Sequence, residues 1–246
     1  MISQKWQKQI RLLHQKKHRQ ELGAFLVEGA KSVRELLTSG FGIQALFVTD
    51  LFYKENQNLL REQPVPVERV TEEELGKVGT LQTNNAALAI VQTKENRTLM
   101  AGPEEYALIL DDIRDPGNLG TIIRIADWYG IKKIICSETC VDVYNPKVIS
   151  ATMGSFTRVE TCYVSLADYF AKIKGAPVYG TFLGGVSVHG FVFAPSGYIV
   201  VGNEANGIRP ENEPFVTQKI TIPRFGEAES LNAGIATAIV LDNLRR

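Results

Sequence analysis

Three stretches in the second half of the chain place polar side chains directly after segments that have the pattern of strands. In 111-DDIRDPGNLGTIIRIADWYG-130 a strand ends in acidic residues, turns at Asp115, and leads into a helix that carries Asn118 and Arg124. Ligands of open α/β sheets bind outside the carboxyl ends of the strands, which is where this turn lies. The first stretch is therefore a candidate ligand site.

The other two stretches supply a carboxylate and small polar residues. In 200-VVGNEANGIRP-210 a strand runs through Gly202 into a turn that carries Glu204, and glycines there let the backbone approach a ligand closely. In 222-IPRFGEAESLNAGIATAIVL-241 a short strand end and a loop lead into a helix through Ser230 and Asn232. Serine and asparagine at that point are equally well explained as caps of free backbone N–H groups. Either stretch alone favours a structural role.

Other common chemistries lack their sequence signatures. The chain contains no G-x-G-x-x-G and no G-x-x-x-x-G-K-[ST]. The sequence therefore argues against a standard Rossmann dinucleotide site and against a P-loop. His14 and His18 lie four residues apart, as helical metal ligands would, but no third ligand is near them. We therefore predict surface histidines and no metal site.

The amino-terminal segment is basic although the whole chain is neutral. Lys plus Arg equals Asp plus Glu at 27 each, so any electrostatic attraction to a nucleic acid must come from local clustering. The first twenty residues contain no acid, and Trp6 lies among their cations, so this segment fits either an RNA backbone and a stacked base or a solvated helix face. The candidate RNA-binding residues are Lys5, Lys8, Arg11, Lys16, Lys17 and Arg19.

Composition points to a globular protein of the cytoplasm. The 246 residues, 44% of them apolar, suffice for one large or two modest domains. Three cysteines are too few for a disulfide framework or for four soft metal ligands, which favours a reducing compartment. No apolar run approaches the roughly 20 residues that cross a bilayer, so no membrane association is predicted.

A polar stretch with a Gly-Pro pair, residues 93–105, separates two regions of alternating helix and strand pattern. We predict a first domain over 1–93, a linker over 94–105 and a second domain over 106–246. The first domain has helices at 29–40 and 71–78 and strands at 45–49 and 86–92, and Thr71 with Glu74 predicts a capping box.

The second domain has the pattern of a parallel sheet covered on both sides, because its strands are apolar on both faces and alternate with helices. The predicted strands are 106–113, 132–137, 177–183, 198–202 and 219–223. The predicted helices are 118–129, 145–153, 165–173 and 230–244. In the first of these helices Arg124 and Trp128 lie opposite the apolar face, which suits a subunit interface, a site built at one, or simply an exposed tryptophan.

Taken in order, the three stretches resemble the motifs of one enzyme family. N-L-G-x-x-x-R from Asn118, G-N-E-x-x-G from Gly202 and I-P…S-L-N from Ile222 are similar to the motifs of the SpoU/TrmH group of RNA 2′-O-ribose methyltransferases, in the SPOUT superfamily. The resemblance covers residues 106–246. More weakly, 25-FLVEGAKSVRELLTSG-40 and 45-ALFVTD-50 resemble an L30e-like substrate-binding domain.

The resemblance implies an α/β fold whose second domain is a trefoil-knotted, mainly parallel SPOUT sheet. It also implies S-adenosylmethionine as methyl donor, a homodimer, and rRNA or tRNA as substrate. The methyl donor contacts then fall on Gly202, Ile222 and Leu231, with Thr181 as a further lining position. The catalytic and structural polar set would be Arg124, Asn118, Glu204, Ser230 and Asn232.

Two other functions fit parts of these observations. One is a non-catalytic RNA-binding or ribosome-assembly protein, which the presence of all five polar motif residues disfavours. The other is a SPOUT methyltransferase acting on a base or a protein, whereas the arginine of the first motif favours a ribose oxygen. The family assigns proton acceptance to that arginine, here Arg124, but a guanidinium stays protonated in proteins, so clamping a phosphate is physically easier.

Overall fold

The computed structural model describes every residue, Met1–Arg246, as two compact units. The first contains Met1–Glu95 and Asp142–Thr157, and the second contains Asn96–Val141 and Arg158–Arg246. The domain limits read from the sequence remain a prediction; the compact units part at Glu95, and a segment from the middle of the predicted second domain joins the first unit. None of the helices is long and apolar enough to cross a membrane.

The first unit contains a four-stranded sheet in the order β1-β4-β2-β3. Strands β1 and β2 run antiparallel to β4, and β3 runs parallel to β2. Its strands are β1 Ala24–Glu28, β2 Ile43–Val48, β3 Val67–Arg69 and β4 Ala87–Gln92. Its helices are α1 Gln4–Leu13, α2 Lys16–Leu22, α3 Ala30–Leu37, α4 Asp50–Glu55, α5 Gln57–Arg61, α6 Glu72–Val78 and α8 Pro146–Thr152, followed by the 3-10 turn Ser155–Thr157.

Alternating side chains of β1 enter two separate cores, one on each face of this sheet. Phe25 and Val27 belong to one cluster, and Ala24 and Leu26 to the other. The first cluster includes side chains of the segment from the second half of the chain: the ring centroid of Phe25 lies 4.5 Å from that of Tyr144. This contact shows why residues 142–157 belong to the first unit.

The predicted capping box at the start of α6 is confirmed. The hydroxyl of Thr71 accepts a hydrogen bond from the backbone N–H of Glu74 at 3.2 Å, and the Glu74 carboxylate accepts one from the N–H of Thr71 at 3.0 Å. Trp6, considered above for base stacking, instead packs edge to face against Phe47 with ring centroids 6.0 Å apart. Trp6 therefore belongs to the core of the first unit.

Arg19 corrects the predicted RNA-binding set, because the fold buries it. Its side chain is 3% exposed, and its guanidinium donates to Asp142 from Nε at 3.0 Å and from Nη2 at 2.7 Å. Nη1 donates to the carbonyls of Leu13 and His14, each at 3.0 Å. A guanidinium satisfied in this way is not available to an RNA phosphate, and the sequence could not show it because Asp142 lies 123 residues away.

The second unit contains a six-stranded sheet in the order β10-β8-β9-β5-β6-β7, with every pair parallel. The prediction of a mainly parallel sheet is confirmed. Its strands are β5 Tyr106–Asp111, β6 Lys133–Ser137, β7 Glu160–Val164, β8 Val178–Ser187, β9 Gly197–Gly202 and β10 Gln218–Thr221. Its helices are α7 Pro116–Trp128, α9 Leu166–Lys172 and α10 Ala233–Leu244, with a 3-10 turn at Glu213–Phe215. The trefoil knot stays a prediction.

Strand β7 escaped the sequence analysis because it lies at the sheet edge, where it pairs only with β6 and Cys162 alone is fully buried. The strands that matter for function are β5 and β9, which are neighbours with Asp111 opposite Gly202. Because the strands are parallel, the loops of the first two motifs start side by side at one edge.

Replacing Arg19 with alanine should strongly destabilise the first unit. The change leaves Asp142 largely buried without its cation, and breaking such a pair costs about 3 kcal/mol or more of the free energy of unfolding. The measurement is denaturant unfolding of the whole chain, with the fluorescence of Trp6 reporting on this unit. Lys17→Ala is the control, since Lys17 is exposed and only 3.8 Å from an exposed glutamate. Equal unfolding midpoints for the two variants would contradict a structural role for Arg19.

Candidate active site at the carboxyl edge of the parallel sheet

Helix α7 begins where the chain leaves β5 because its first turn is capped. The Asp115 carboxylate accepts a hydrogen bond from the backbone N–H of Asn118 at 2.8 Å, and Pro116 occupies the first turn, where no N–H is needed. The apolar face that follows is buried at Leu119, Ile122, Ile123 and Ala126. Burial of this face fixes the helix, and the cap fixes the position of Asn118 at its start.

The side-chain amide of Asn118 joins all three motifs. Its Nδ2 donates a hydrogen bond to Oε1 of Glu204, and its Oδ1 accepts one from Nδ2 of Asn232 at 2.6 Å. We call Asn232, Asn118 and Glu204 the amide relay. Residues that are 86 and 114 positions from Asn118 in the sequence thus meet at one point, and the relay ends on a carboxylate that has no cation partner within the chain.

The turn that carries Glu204 is closed by hydrogen bonds at its base. Asn203 and Gly207 exchange backbone hydrogen bonds of 3.0 and 2.8 Å, and the Asn203 side chain donates to the carbonyl of Asp112 at 2.9 Å. A Cβ on Gly202 would lie only 2.1 Å from the backbone carbon of Gly207, so a larger residue would displace the turn. The sequence predicted that a glycine here lets a ligand approach the backbone closely. In the structure, the backbone that approaches Gly202 is that of the chain's own turn, at Gly207 and Ile208.

Asn232 is both a helix cap and a member of the relay. Its Oδ1 accepts hydrogen bonds from the N–H groups of Gly234 and Ile235 at the start of α10, at 2.9 and 3.3 Å. Its Nδ2 is then directed to Asn118. The two interpretations that the sequence left open for Asn232 are therefore compatible, whereas Ser230 is exposed and outside the relay.

Arg124 is exposed and makes no hydrogen bond or ion pair with the rest of the chain. It follows Asn118 by six residues, about 240° around the helix and about 9 Å along its axis, so it leaves α7 on a different face from the relay. Trp128, four residues further on, is 84% exposed. The structure thus brings Asn118, Glu204 and Asn232 together and leaves Arg124 on an open face with Trp128.

The positions predicted to contact a methyl donor flank an exposed loop. Ile222 at its start is half-buried, and Leu231 at its end is 46% exposed. Residues 222–231 take part in no backbone-to-backbone hydrogen bond, and side chains bond only the carbonyls of Ile222 and Ala228, so most of the loop's N–H and carbonyl groups are open to a ligand. Thr181 lies in the neighbouring β8, where its hydroxyl donates to the carbonyl of Val200 at 3.1 Å.

The sequence analysis did not predict a buried ionic cluster formed by Asp111, Arg209 and Asn212. Asp111, fully buried at the end of β5, accepts hydrogen bonds from Nε of Arg209 at 2.7 Å, from the Arg209 N–H at 2.9 Å and from Asn212 at 2.8 Å. Burial alone would lower the pKa of Arg209, but its pairing with Asp111 raises that pKa above its ordinary value. The acidic end of β5 was visible in the sequence; its partners, 98 and 101 residues later, were not.

The remaining predicted cations and histidines lie on α1 and α2 of the first unit. Lys8 and Arg11 line a shallow depression together with Gln4 and Gln7. The exposed members of the predicted RNA-binding set are Lys5, Lys8, Arg11, Lys16 and Lys17.

His14 and His18 are engaged in other contacts. Nε2 of His14 lies 3.0 Å from the carbonyl of Val78, and Nδ1 of His18 lies 2.8 Å from the Glu21 carboxylate. The structure contains no group of three or more His, Cys, Asp or Glu side chains arranged to hold a metal ion.

Comparison with known proteins gives matches over both units. The model of the SpoU rRNA Methylase family matches residues 105–242, and that of the MRM3-like substrate binding domain matches residues 7–89. The 23S rRNA (guanosine(2553)-2′-O)-methyltransferase RlmP of Bacillus subtilis (strain 168) is 29% identical over an alignment of 238 positions that covers 95% of this chain and 93% of that protein.

Two further relatives cover nearly the whole chain. The 23S rRNA (uridine(2479)-2′-O)-methyltransferase of Streptomyces viridochromogenes is 25% identical over an alignment of 258 positions, gaps included, that covers 99% of this chain and 89% of that protein. The crystal structure of an AdoMet-bound rRNA methyltransferase from Sinorhizobium meliloti superposes with a TM-score of 0.87 at 30% identity, covering 100% of this chain and 96% of the other. The motifs, the parallel sheet and these matches agree: the chain belongs to the SpoU rRNA methylase family and carries an MRM3-like substrate-binding domain before its methylase domain.

Proposed function

We propose that this protein transfers the methyl group of S-adenosylmethionine to a ribose 2′-hydroxyl of ribosomal RNA. The observation that carries the proposal is the amide relay, which joins the three family motifs at the carboxyl edge of the parallel sheet. Relatives that cover the whole chain are named as 23S rRNA 2′-O-methyltransferases. They differ in the base of the target nucleotide, so the shared chemistry belongs to the sugar.

The loop after β10 fits S-adenosylmethionine by its chemistry. Its free backbone N–H and carbonyl groups suit the hydrogen-bonding edge of an adenine, and the partly uncovered side chains of Ile222 and Leu231 suit the faces of that ring. Gly202 and Thr181 complete the proposed donor-binding set. When bound, this cofactor supplies a methyl group on a sulfonium, whose departure as a neutral thioether requires no general acid.

The chain's own task is then to align the sugar and to help its hydroxyl lose a proton. Glu204 fixes the orientation of the Asn118 amide, and Asn118 fixes that of Asn232, so the relay presents a preset polar edge; we place Ser230 beside it. Because a guanidinium carries five N–H donors and no acceptor, we assign to Arg124 the clamping of the phosphate next to the target ribose and the stabilisation of the developing alkoxide.

Arg124→Ala should abolish most methyl transfer without weakening binding of the methyl donor. Removing one charge-stabilising group from an active site lowers kcat about 100-fold to 1000-fold. The readouts are the rate of transfer of labelled methyl at saturating RNA and a calorimetric titration with S-adenosylmethionine. Arg61→Ala, at an exposed arginine outside the proposed site, should keep the wild-type kcat. Lost donor affinity in Arg124→Ala would contradict this role.

The same labelling assay separates the proposed function from its alternatives. Purified protein is incubated with labelled S-adenosylmethionine and either total rRNA or total tRNA, and the RNA is then digested to nucleosides. Label in 2′-O-methylated nucleosides from rRNA supports the proposal. RNA binding without label identifies a non-catalytic RNA-binding protein, and label on a base identifies a base methyltransferase; either result would overturn it.

Gly202→Ala should weaken donor binding by displacing the turn behind the donor site. The added Cβ would lie within 2.3 Å of backbone atoms of Gly207 and Ile208, closer than any packing tolerates. We expect the dissociation constant for S-adenosylmethionine to rise at least tenfold, measured by calorimetry on protein whose folding is checked by circular dichroism. Gly40→Ala is the matched control, because nothing lies within 4 Å of a Cβ there and Gly40 lies in the first unit. Unchanged affinity in Gly202→Ala would remove Gly202 from the donor site.

We also propose that the active protein is a homodimer whose interface covers the exposed face of α7. A tryptophan with 84% exposure is costly in water and is enriched at protein interfaces. Ile235, at the start of the neighbouring α10, is 52% exposed as well, and a Cβ built on Gly234 beside it would lie 3.0 Å from Cγ2 of Thr121, so α10 and α7 approach closely there. An interface here would include Arg124. Arg124 lies on α7, like Trp128, and its side chain leaves that helix on a different face from the amide relay of the same subunit.

Trp128→Glu should convert the dimer into monomers, because it would bury a charge in the interface. The molar mass from light scattering after size-exclusion chromatography should fall by half at micromolar concentration. Leu51→Glu serves as the control, since Leu51 is 60% exposed on α4 of the first unit. A wild-type protein that elutes as a monomer at all concentrations would contradict the proposed dimer.

We place RNA contacts on the first unit as well. Its five exposed cations, Lys5, Lys8, Arg11, Lys16 and Lys17, suit a phosphate backbone, and the family match there is to a substrate-binding domain. The three cysteines are all free thiols, which fits the reducing environment of the cytoplasm.

A further inference from the structure

We infer that Arg114 is a phosphate-binding residue, held by Asp112 beside the amide relay so that its guanidinium receives a phosphodiester of the substrate RNA. The inference deepens the proposed function and rests on it for the identity of the substrate. It adds a substrate contact at a residue outside the three motifs.

Arg114 is attached to the protein through one nitrogen and is otherwise open. Its Nε donates to Oδ1 of Asp112 at 2.9 Å, and no other group of the chain bonds to the guanidinium. The Arg114 side chain is 71% exposed, whereas that of Asp112 is 5% exposed. Four of the five N–H donors of the guanidinium therefore face solvent in a fixed plane, which matches the oxygens of a phosphate.

Asp112 is held firmly enough to serve as the anchor. Its N–H donates to the hydroxyl of Ser137 at 3.0 Å, and its carbonyl accepts from the side chain of Asn203 at 2.9 Å. Asp112 also has a φ of +61°, a left-handed conformation that non-glycine residues keep only where their surroundings enforce it. Such enforced conformations concentrate at functional sites.

Asp112 remains charged and therefore keeps its hold on the arginine. Burial alone would raise the pKa of Asp112, but hydrogen bonds from Arg114 and Thr139, with the charges of Arg114 and Arg209, lower that pKa below its ordinary value. The carboxylate thus stays ionised at neutral pH.

The position of Arg114 follows from the chain around it. Arg114 lies in the loop between β5 and α7, four residues before Asn118, and Asp112 binds Asn203, the residue next to Glu204. One loop therefore connects the anchored arginine to two members of the relay. A nucleotide whose ribose lies at the relay has its adjoining phosphates within the reach of such a loop.

Charge at this edge also favours a phosphate ligand for Arg114. The carboxylates of Asp111, Asp112 and Glu204 would repel RNA unless cations offset them. Arg209 is occupied by Asp111 through Nε, and its Nη1 lies 3.6 Å from Glu211. Arg114 has open N–H groups and is anchored to Asp112, whereas Arg124 also has open N–H groups but has no side-chain partner in the chain.

The competing explanation is that Arg114 merely neutralises the buried Asp112. The two roles differ in salt dependence, because a residue that contacts a phosphate releases a counterion, whereas an internal ion pair does not change the slope of RNA affinity against salt. Both roles allow a lower melting temperature, because Arg114 pairs with the buried Asp112 in either case. The test therefore depends on the affinity for RNA and its salt slope, and the melting temperature is measured beside them.

The experiment compares Arg114→Gln with the wild type in filter binding to rRNA over a range of salt concentrations. We expect about tenfold weaker binding at low salt and a slope of log affinity against log salt that is smaller by about 0.7 to 0.9. Affinity for S-adenosylmethionine should stay unchanged. Arg246→Gln is the matched control, because Arg246 is exposed and paired with Asp242 but lies at the far end of α10 from Asn232.

Asp112→Asn tests the anchor. It should weaken RNA binding less than Arg114→Gln does, and the double variant should bind no more weakly than Arg114→Gln, because both changes act on one contact. An unchanged salt slope in Arg114→Gln, or a lowered melting temperature with normal RNA affinity, would overturn the inference. Because these are binding measurements, they stand even if the wild type methylates no RNA; that outcome would reject the proposed function and not the phosphate contact.

Discussion

The proposed active site depends on one side-chain amide that is used at both ends. Asn118 donates to Glu204 and accepts from Asn232, so three segments that are distant in sequence are held in one geometry. An amide is suited to this position because it has both a donor and an acceptor on one rigid plane. A carboxylate would lack the donor, and an ammonium would lack the acceptor, so neither could join an acidic turn to an amide-capped helix.

The scaffold behind the amide removes the remaining freedom of these segments. Parallel pairing of β5 with β9 places Asp111 opposite Gly202, and the buried Asp111 then binds Arg209 beyond the turn. The turn itself is closed by backbone hydrogen bonds between Asn203 and Gly207. Folding therefore supplies the free energy that orders these segments, and the site needs little reorganisation when a substrate binds.

Local signals in the sequence predicted local features well. The capping box at Thr71, the apolar face of α7 and the alternation of strands and helices in the second unit all depend on residues close in the chain. The sequence analysis was wrong or incomplete where a residue's partner is distant in the chain. It predicted that Arg19 binds RNA, whereas Arg19 is buried and paired with Asp142, and it did not predict that Asp111 pairs with Arg209. The three motifs were visible as a set, but the hydrogen bonds that join them require the fold.

The discontinuous first unit limits how such proteins can be rearranged. Its core includes Phe156, which the chain supplies only after passing through β5, α7 and β6 of the other unit. A genetic crossover at residue 95 would separate Phe25 from Phe156, whose rings meet at 6.1 Å. The amino-terminal part therefore cannot be exchanged between homologues as an independent cassette, and recombination that preserves both cores must carry the two segments together.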